Sequence, residues 1–413
     1  MNFQPPSKSL TPRDYQFIIV VVVLLLVLSA ALMYFNRSLP AGGGDFLVHW
    51  AGARAYIFEQ IDPYSANVPE RVQALVYDRP ARAGDEPYIL DTPFHLLLLY
   101  FPLALLPDPQ LARAIYTLLL ELALFALAIF SLRLTDWEAP RYFAVLFFLF
   151  CIFNFYTYQA VLAASPVLLL GLLYAGILLA LRAERDEVVG ALMAVSMYYW
   201  EVGLPFLILV AWRCYKEGRI RVLAGFFMLS FVLLAVSFFM YANWFIPYLR
   251  AGMNNLRADF GFSVRAILID LFPANGNLLG WVLIGALVVA LIYEVSAAHD
   301  ADTRRFYWAA CLALAAAPLL GFRTEMEHLA VLVIPLALTF AVVYDRWHRR
   351  RALVVLLLLV VLALPWAGIY YGFLSQQIIF LFLPLFTVVG LYWIRWWALR
   401  PPKLWADLAA QKA

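Results

Sequence analysis

Asp45 follows three glycines, Gly42 to Gly44, directly after the first apolar run of the chain, and His49 stands one helical turn further on. Residues four apart on a helix are neighbours on its surface. A carboxylate and an imidazole so placed at a lipid–water boundary are suited to taking a proton from a sugar hydroxyl, and general-base help of this kind is typically worth about 10²- to 10⁴-fold. An Asp after a glycine turn and ahead of a helical pattern is also what a helix N-cap looks like, bonding free backbone N–H groups. Far along the chain His328 opens another apolar run, behind the polar hinge Gly321-Phe322-Arg323-Thr324-Glu325-Met326-Glu327. Arg323 and His328 beside a helix N-terminus supply the donors that hold a phosphate. A lone histidine at a helix start also serves as a structural or interfacial group.

The segment 242–276 adds Trp244, Tyr248, Arg250, Asn254, Asn255, Arg257 and Arg265. Most of these suit solvent or lipid headgroups. Arg265, just ahead of an apolar helix, is the first choice for clamping an anionic lipid donor. Glu201, in Tyr198-Tyr199-Trp200-Glu201, lies deep in the run 188–212, where an ionisable side chain is costly enough to suggest function. A protonated Glu201 bonded to Tyr198 serves equally, and no catalytic role is assigned to it. His299-Asp300-Ala301-Asp302 has the Asp-x-Asp form that can hold a metal and a nucleotide sugar, yet no nucleotide-binding strand–helix units surround it, and it reads as a hinge. His49, His95, His299, His328 and His348 lack metal-ligand spacing, and no glycine loop ends in Lys-Ser or Lys-Thr, so neither a zinc site nor ATP-driven transport is expected.

The elements that must carry these residues are apolar helices. Of all residues 65% are hydrophobic. Apolar runs recur from 17–35 to 378–394, each close to the roughly 20 residues a helix needs to cross about 30 Å of hydrocarbon, and about twelve spans are expected. Backbone groups in lipid must bond within their own segment, which leaves helices as the spanning form. The first run follows Lys8 and Arg13, but it is too long for a secretory signal and lacks a small-residue cleavage site. Cys151, Cys214 and Cys311 are too far apart for a Cys-x-x-Cys site and read as small core hydrophobes. A formal charge of +3, from 30 basic and 27 acidic residues, gives no case for nucleic acid. The short loops 213–219 and 345–351 and the tail 395–413 are basic, which places them in the cytoplasm. With twelve spans, the loops 36–90 and 242–276 and the hinge 321–327 then lie outside, as does 182–187. Those first three form the expected active face.

No repeat or low-complexity tract divides the chain, so residues 1–413 form one polytopic domain. The first outer loop is itself structured: 45–60 has a helical pattern, with Phe46, Trp50 and Ile57 on one stripe and Asp45, His49, Gly52 and Tyr56 on the next. Such a helix lies along the membrane surface with its aromatics in the interface. Asp62-Pro63-Tyr64 breaks it, since the residue before a proline disfavours helix. Thr92-Pro93-Phe94 opens the second span with a proline suited to a first turn. Trp50 and Tyr64 are candidates for stacking on a sugar, with His49 beside them as a substrate contact.

Together, the Gly-Asp-Phe after a first span, the following helix, Asp62-Pro63-Tyr64, and Thr92-Pro93-Phe94 opening a span that ends Pro102-Leu103-Ala104-Leu105-Leu106-Pro107 resemble glycosyltransferase family 87. The similarity runs over about residues 17 to 345, and its specific motifs lie in the first hundred. The resemblance implies an all-α integral membrane bundle of the GT-C type, and an inverting transfer of a hexose, mannose first, from a polyprenyl-phosphate donor to a lipid or glycan acceptor on the extracytoplasmic face of the cell membrane. It implies Asp45 as the base and His328 as its active-site partner; the reading of the residues adds Arg265 and Arg323 on the donor phosphate. It implies no cofactor, and metal independence or weak metal dependence. The family's Gly-Gln-x-Asn and its Lys before a Pro are represented by Tyr158-Gln159-Ala160-Val161 and by Trp200-Glu201-Val202-Gly203 ahead of Pro205, so the Gln survives while the Asn and Lys do not. The alternative is a transporter or flippase of lipid-linked sugars. A non-catalytic scaffold would leave Asp45, Arg323 and His328 scattered in space.

Overall fold

The computed structural model describes residues 23, 27–38, 44–82, 85–137, 140–257, 261–298, 303–322, 324–346 and 351–399. Those residues are helical throughout apart from turns, connections and one isolated antiparallel bridge between Phe262 and Thr324. Among the described residues seven helical stretches are long and apolar enough to cross a membrane, one of them the 31-residue stretch Asp186–Lys216, or eight if the pair Tyr142–Phe153 and Phe155–Leu162, bent by 49°, is one span. The chain is an all-helical membrane protein. About half of the first apolar run lies outside the described residues, as do Arg323 and the His299–Asp302 motif. The helices Val167–Arg182 and Phe94–Ala104 are apolar but shorter than the spans. Hydropathy counts apolar length and is blind to helices that stop part-way, which is why a count of runs exceeds the count of long helices.

Burial sorts the spans by their neighbours. The helix Val333–Arg346, which we label α5, continues the 3₁₀ turn Glu327–Leu332 and is apolar on every side, as a helix enclosed by others must be. Helix α4 (Ile220–Met240) instead leaves Phe231 and Phe239 exposed, at 72% and 92%. Without lipid such a surface would be strongly unfavourable in water, so it faces hydrocarbon.

One part of the expected topology is overturned. Helices α2 (Asp186–Ser196) and α3 (Trp200–Lys216) are joined by the 3₁₀ turn Met197–Tyr199. A straight helix over their 31 residues would be about 46 Å long. Yet Asp186 accepts a hydrogen bond from Arg219 Nε at 2.9 Å, just beyond the far end of α3. The two helices therefore double back as a hairpin, with α2 lying along the start of α4. Gly190 permits this: a Cβ there would meet the Val222 carbonyl oxygen at 2.1 Å. The loops 182–187 and 213–219 lie at the same end of the bundle, not on opposite faces, and the run 188–212 is a hairpin whose tip carries Tyr199, Trp200 and Glu201. A single sequence cannot distinguish one apolar span from two shorter helices with a turn, because both read as continuous hydrophobicity.

Helix α1 (Gly44–Arg54) forms where the pattern predicts and passes into a π turn, Ala55–Glu59, that Gln60 ends in the left-handed conformation. It is not an open surface helix. Phe46 to Ala53 are all buried, and Arg54 closes its end by donating to the Ala104 and Leu106 carbonyls. The break at Asp62 is an Asx turn, its carboxylate accepting from the Tyr64 backbone N–H at 2.9 Å.

Candidate active site

Asp45 is held at the start of α1 by packing rather than by a cap. Gly44 is required there: a Cβ would lie 1.7 Å from the Tyr88 ring. One turn on, His49 bonds the Asp45 carbonyl oxygen through Nδ1, so that nitrogen carries the proton, and Nε2 accepts from the Thr92 hydroxyl at 3.0 Å. Its ring stacks on Tyr100 at 4.6 Å. Burial drives the His49 pKa down to about 4, so the imidazole is neutral. Both its nitrogens are thereby committed to fixing Asp45 and the Thr92 turn.

His328 reaches the same place from the other end of the sequence. The bridge between Phe262 and Thr324 fixes the hinge, with backbone bonds of 2.8 and 2.9 Å. His328 Nδ1 accepts from the Glu325 backbone N–H at 3.3 Å, and its ring lies 5.2 Å from that of Tyr199 at the hairpin tip. With Nδ1 accepting, Nε2 carries the hydrogen and is a donor.

Asp45, His49 and His328 line one cavity of about 500 Å³, walled also by Glu86, Asp91, Tyr199, Glu201, Tyr248, Thr324 and Glu325. Such a volume suits a sugar-sized ligand. Among the described residues its lining has five carboxylates and two histidines but no Lys or Arg. The described lining is acidic, and Arg323, the arginine expected beside His328, lies outside the described residues. Asp45, Glu325 and Glu327 bring one carboxylate oxygen each within 4.8 Å of one another. Burial first, and then the neighbouring Glu327 carboxylate, push the Asp45 pKa up to about 7. Burial followed by the charge of Asp45 pushes Glu86 up to about 9. Glu325 is raised well above the usual carboxylate range as well, by burial and then by Glu327.

The other expected contacts fall elsewhere. Arg265 is exposed and lies over the Trp281 ring at 5.6 Å, outside the cavity lining. Trp50 is buried under the Arg54 guanidinium, 5.2 Å from its ring. Five residues along a helix is about 500°, which turns Trp50 roughly 140° away from Asp45. Tyr64 donates its hydroxyl to the Thr92 carbonyl at 2.9 Å and so supports the wall from behind. Replacing Arg265 with Ala is therefore expected to change the KM for any anionic lipid donor by less than about threefold, the scale of a small exposed-charge effect. A loss of tenfold or more would return Arg265 to the site.

Sequence reasoning missed Glu86, Asp91 and Glu325 as wall groups, Glu201 as a cavity residue, and Glu327 as a neighbour of Asp45. The available signal was the alternation Thr324-Glu325-Met326-Glu327 directly before His328, and the aromatic and acidic cluster 198–201 in the middle of an apolar run. No family model matches the chain, and neither curated proteins nor solved structures yield a match to it.

Proposed function

We propose that the chain is an inverting membrane glycosyltransferase, a GT-C-like bundle of about twelve spans on the hydropathy count, that moves a hexose, mannose first, from a polyprenyl phosphate to a lipid or glycan acceptor at the outer membrane face. The observation that carries this reading is the meeting of Asp45 and His328, from opposite ends of the sequence, on one cavity of sugar size beside apolar helices. The family likeness of the first hundred residues supplies the donor class.

The Asp45 carboxylate takes the proton of the acceptor hydroxyl. The freed oxygen pair attacks the anomeric carbon, the bond from that carbon to the phosphate oxygen breaks, and the pair leaves on polyprenyl phosphate. A base works best with a pKa near the working pH, and burial, followed by the Glu327 carboxylate, raises the basicity of Asp45 toward that point. His328 Nε2–H is the donor available to the leaving oxygen. Nucleotide sugars stay in the cytoplasm, so chemistry on the outer side draws on a sugar already carried across on lipid.

One observation favours the second reading, a carrier of lipid-linked sugars. Glu201 sits at the tip of a hairpin between apolar helices, as coupling groups in carriers do. Purified protein incubated with labelled polyprenyl-phosphate mannose and a lipid acceptor extract decides between the two. Transfer produces a labelled product of new mobility. Movement of intact donor across a vesicle without any new product would establish the carrier instead.

A further inference from the structure

We propose that Asp45, Glu325 and Glu327 together bind a hard divalent cation, of the magnesium or manganese class, in the wall of the cavity. Three oxygens within 4.8 Å of one another fit around one such ion, because ligand distances of about 2.0–2.4 Å put the farthest pair of ligands about 4–4.8 Å apart. All the donors are oxygens, and the three cysteines lie buried elsewhere. That set selects magnesium or manganese over softer metals.

A second observation points to a ligand independently of the acids. Thr324, in the same wall, is 1% exposed, and its hydroxyl oxygen has no hydrogen-bond partner. A buried hydroxyl left unpaired costs roughly 1–3 kcal/mol, and an ion or its water shell removes that cost. The Asp45 Oδ2 atom is likewise buried and unpartnered. With one Asp45 oxygen on the ion, the other stays free for the acceptor proton.

The cavity itself supplies the reason for a cation. Among the described residues no lysine or arginine lines it, and a cation relieves the crowding of the Asp45, Glu325 and Glu327 carboxylates. Three side chains fill half of an octahedron. The remaining positions suit water and phosphate oxygens, the usual way in which magnesium is shared between carboxylates and a phosphorylated substrate. A cation there meets the charge of the donor phosphate, which Arg265, outside the lining, does not. That role rests on the transfer reading, whereas occupation of the site does not.

The test uses full-length protein in detergent, stripped with a chelator and titrated with Mn²⁺ alone, bound ion being read by electron paramagnetic resonance. One ion per chain is expected, with at least about tenfold weaker binding in Glu325→Gln and in Glu327→Gln, the scale on which even outer partners of a metal matter. A rise in the melting temperature of the unaltered chain with Mn²⁺ gives a reading independent of whether the variants fold. Absence of both stoichiometric binding and that rise overturns the site. Bound Mn²⁺ with no sugar transfer leaves the site standing and removes the transfer reading. Full transfer in excess chelator keeps the transfer reading and overturns the ion's role on the donor phosphate.

Discussion

Asp45→Asn leaves the protein folded and lowers sugar transfer by about a hundredfold or more, the lower end of what a positioned base contributes. Asparagine has the shape of aspartate but cannot take a proton. The substitution also removes one of three crowded carboxylates, so thermal stability should be held or raised: like charges forced together in a buried site oppose folding. Donor KM is expected to change less than kcat, because the missing step is chemical. If Asp45 served only to hold an ion, saturating Mn²⁺ would restore much of the rate of the variant; a base cannot be restored in this way. Near-normal turnover by the purified variant would remove the assignment altogether.

Gly190→Val prevents the helical hairpin from closing against α4, and about 3 kcal/mol or more of stability is lost. The added Cβ would stand 2.1 Å from the Val222 carbonyl oxygen and 2.5 Å from the Phe226 backbone nitrogen. Both are main-chain atoms of a helix and cannot move aside as a flexible side chain does. The strain is felt at a distance, since the hairpin tip supplies Tyr199 and Glu201 to the cavity. Gly285→Val is the matched control: nothing lies within 4 Å of a Cβ at that position. Melting curves in detergent should place the first variant well below the second. Equal melting temperatures would mean that α2 does not pack on α4 as described.

The two predictions draw on different kinds of information. Asp45 could be singled out from residue types alone, because a carboxylate between a glycine turn and a helical pattern is rare among apolar runs and its spacing to His49 is local. Gly190 could not. It is one of 20 glycines in the chain, and its importance comes from a neighbour thirty-odd positions away.

The same division runs through the site. Local spacing made legible the helix beginning near Asp45, the break at Asp62, the start at Phe94 and the apolar helices themselves, since each depends on contacts within a few residues. Membrane character followed from composition, because lipid rewards apolar side chains whatever their partners. The hairpin and the charge of the cavity depend instead on which helices meet. Arg265 and Glu325 had equal standing as polar residues near a helix start, and only packing put one over Trp281 on the exterior and the other against Asp45. Hydrophobicity and helical period are properties of neighbouring residues along the chain, so sequence determined that this protein is a bundle of membrane helices and singled out Asp45 and His328 as candidate site residues. Their meeting on one cavity with an acidic described lining is a matter of long-range packing that the tertiary structure alone decided.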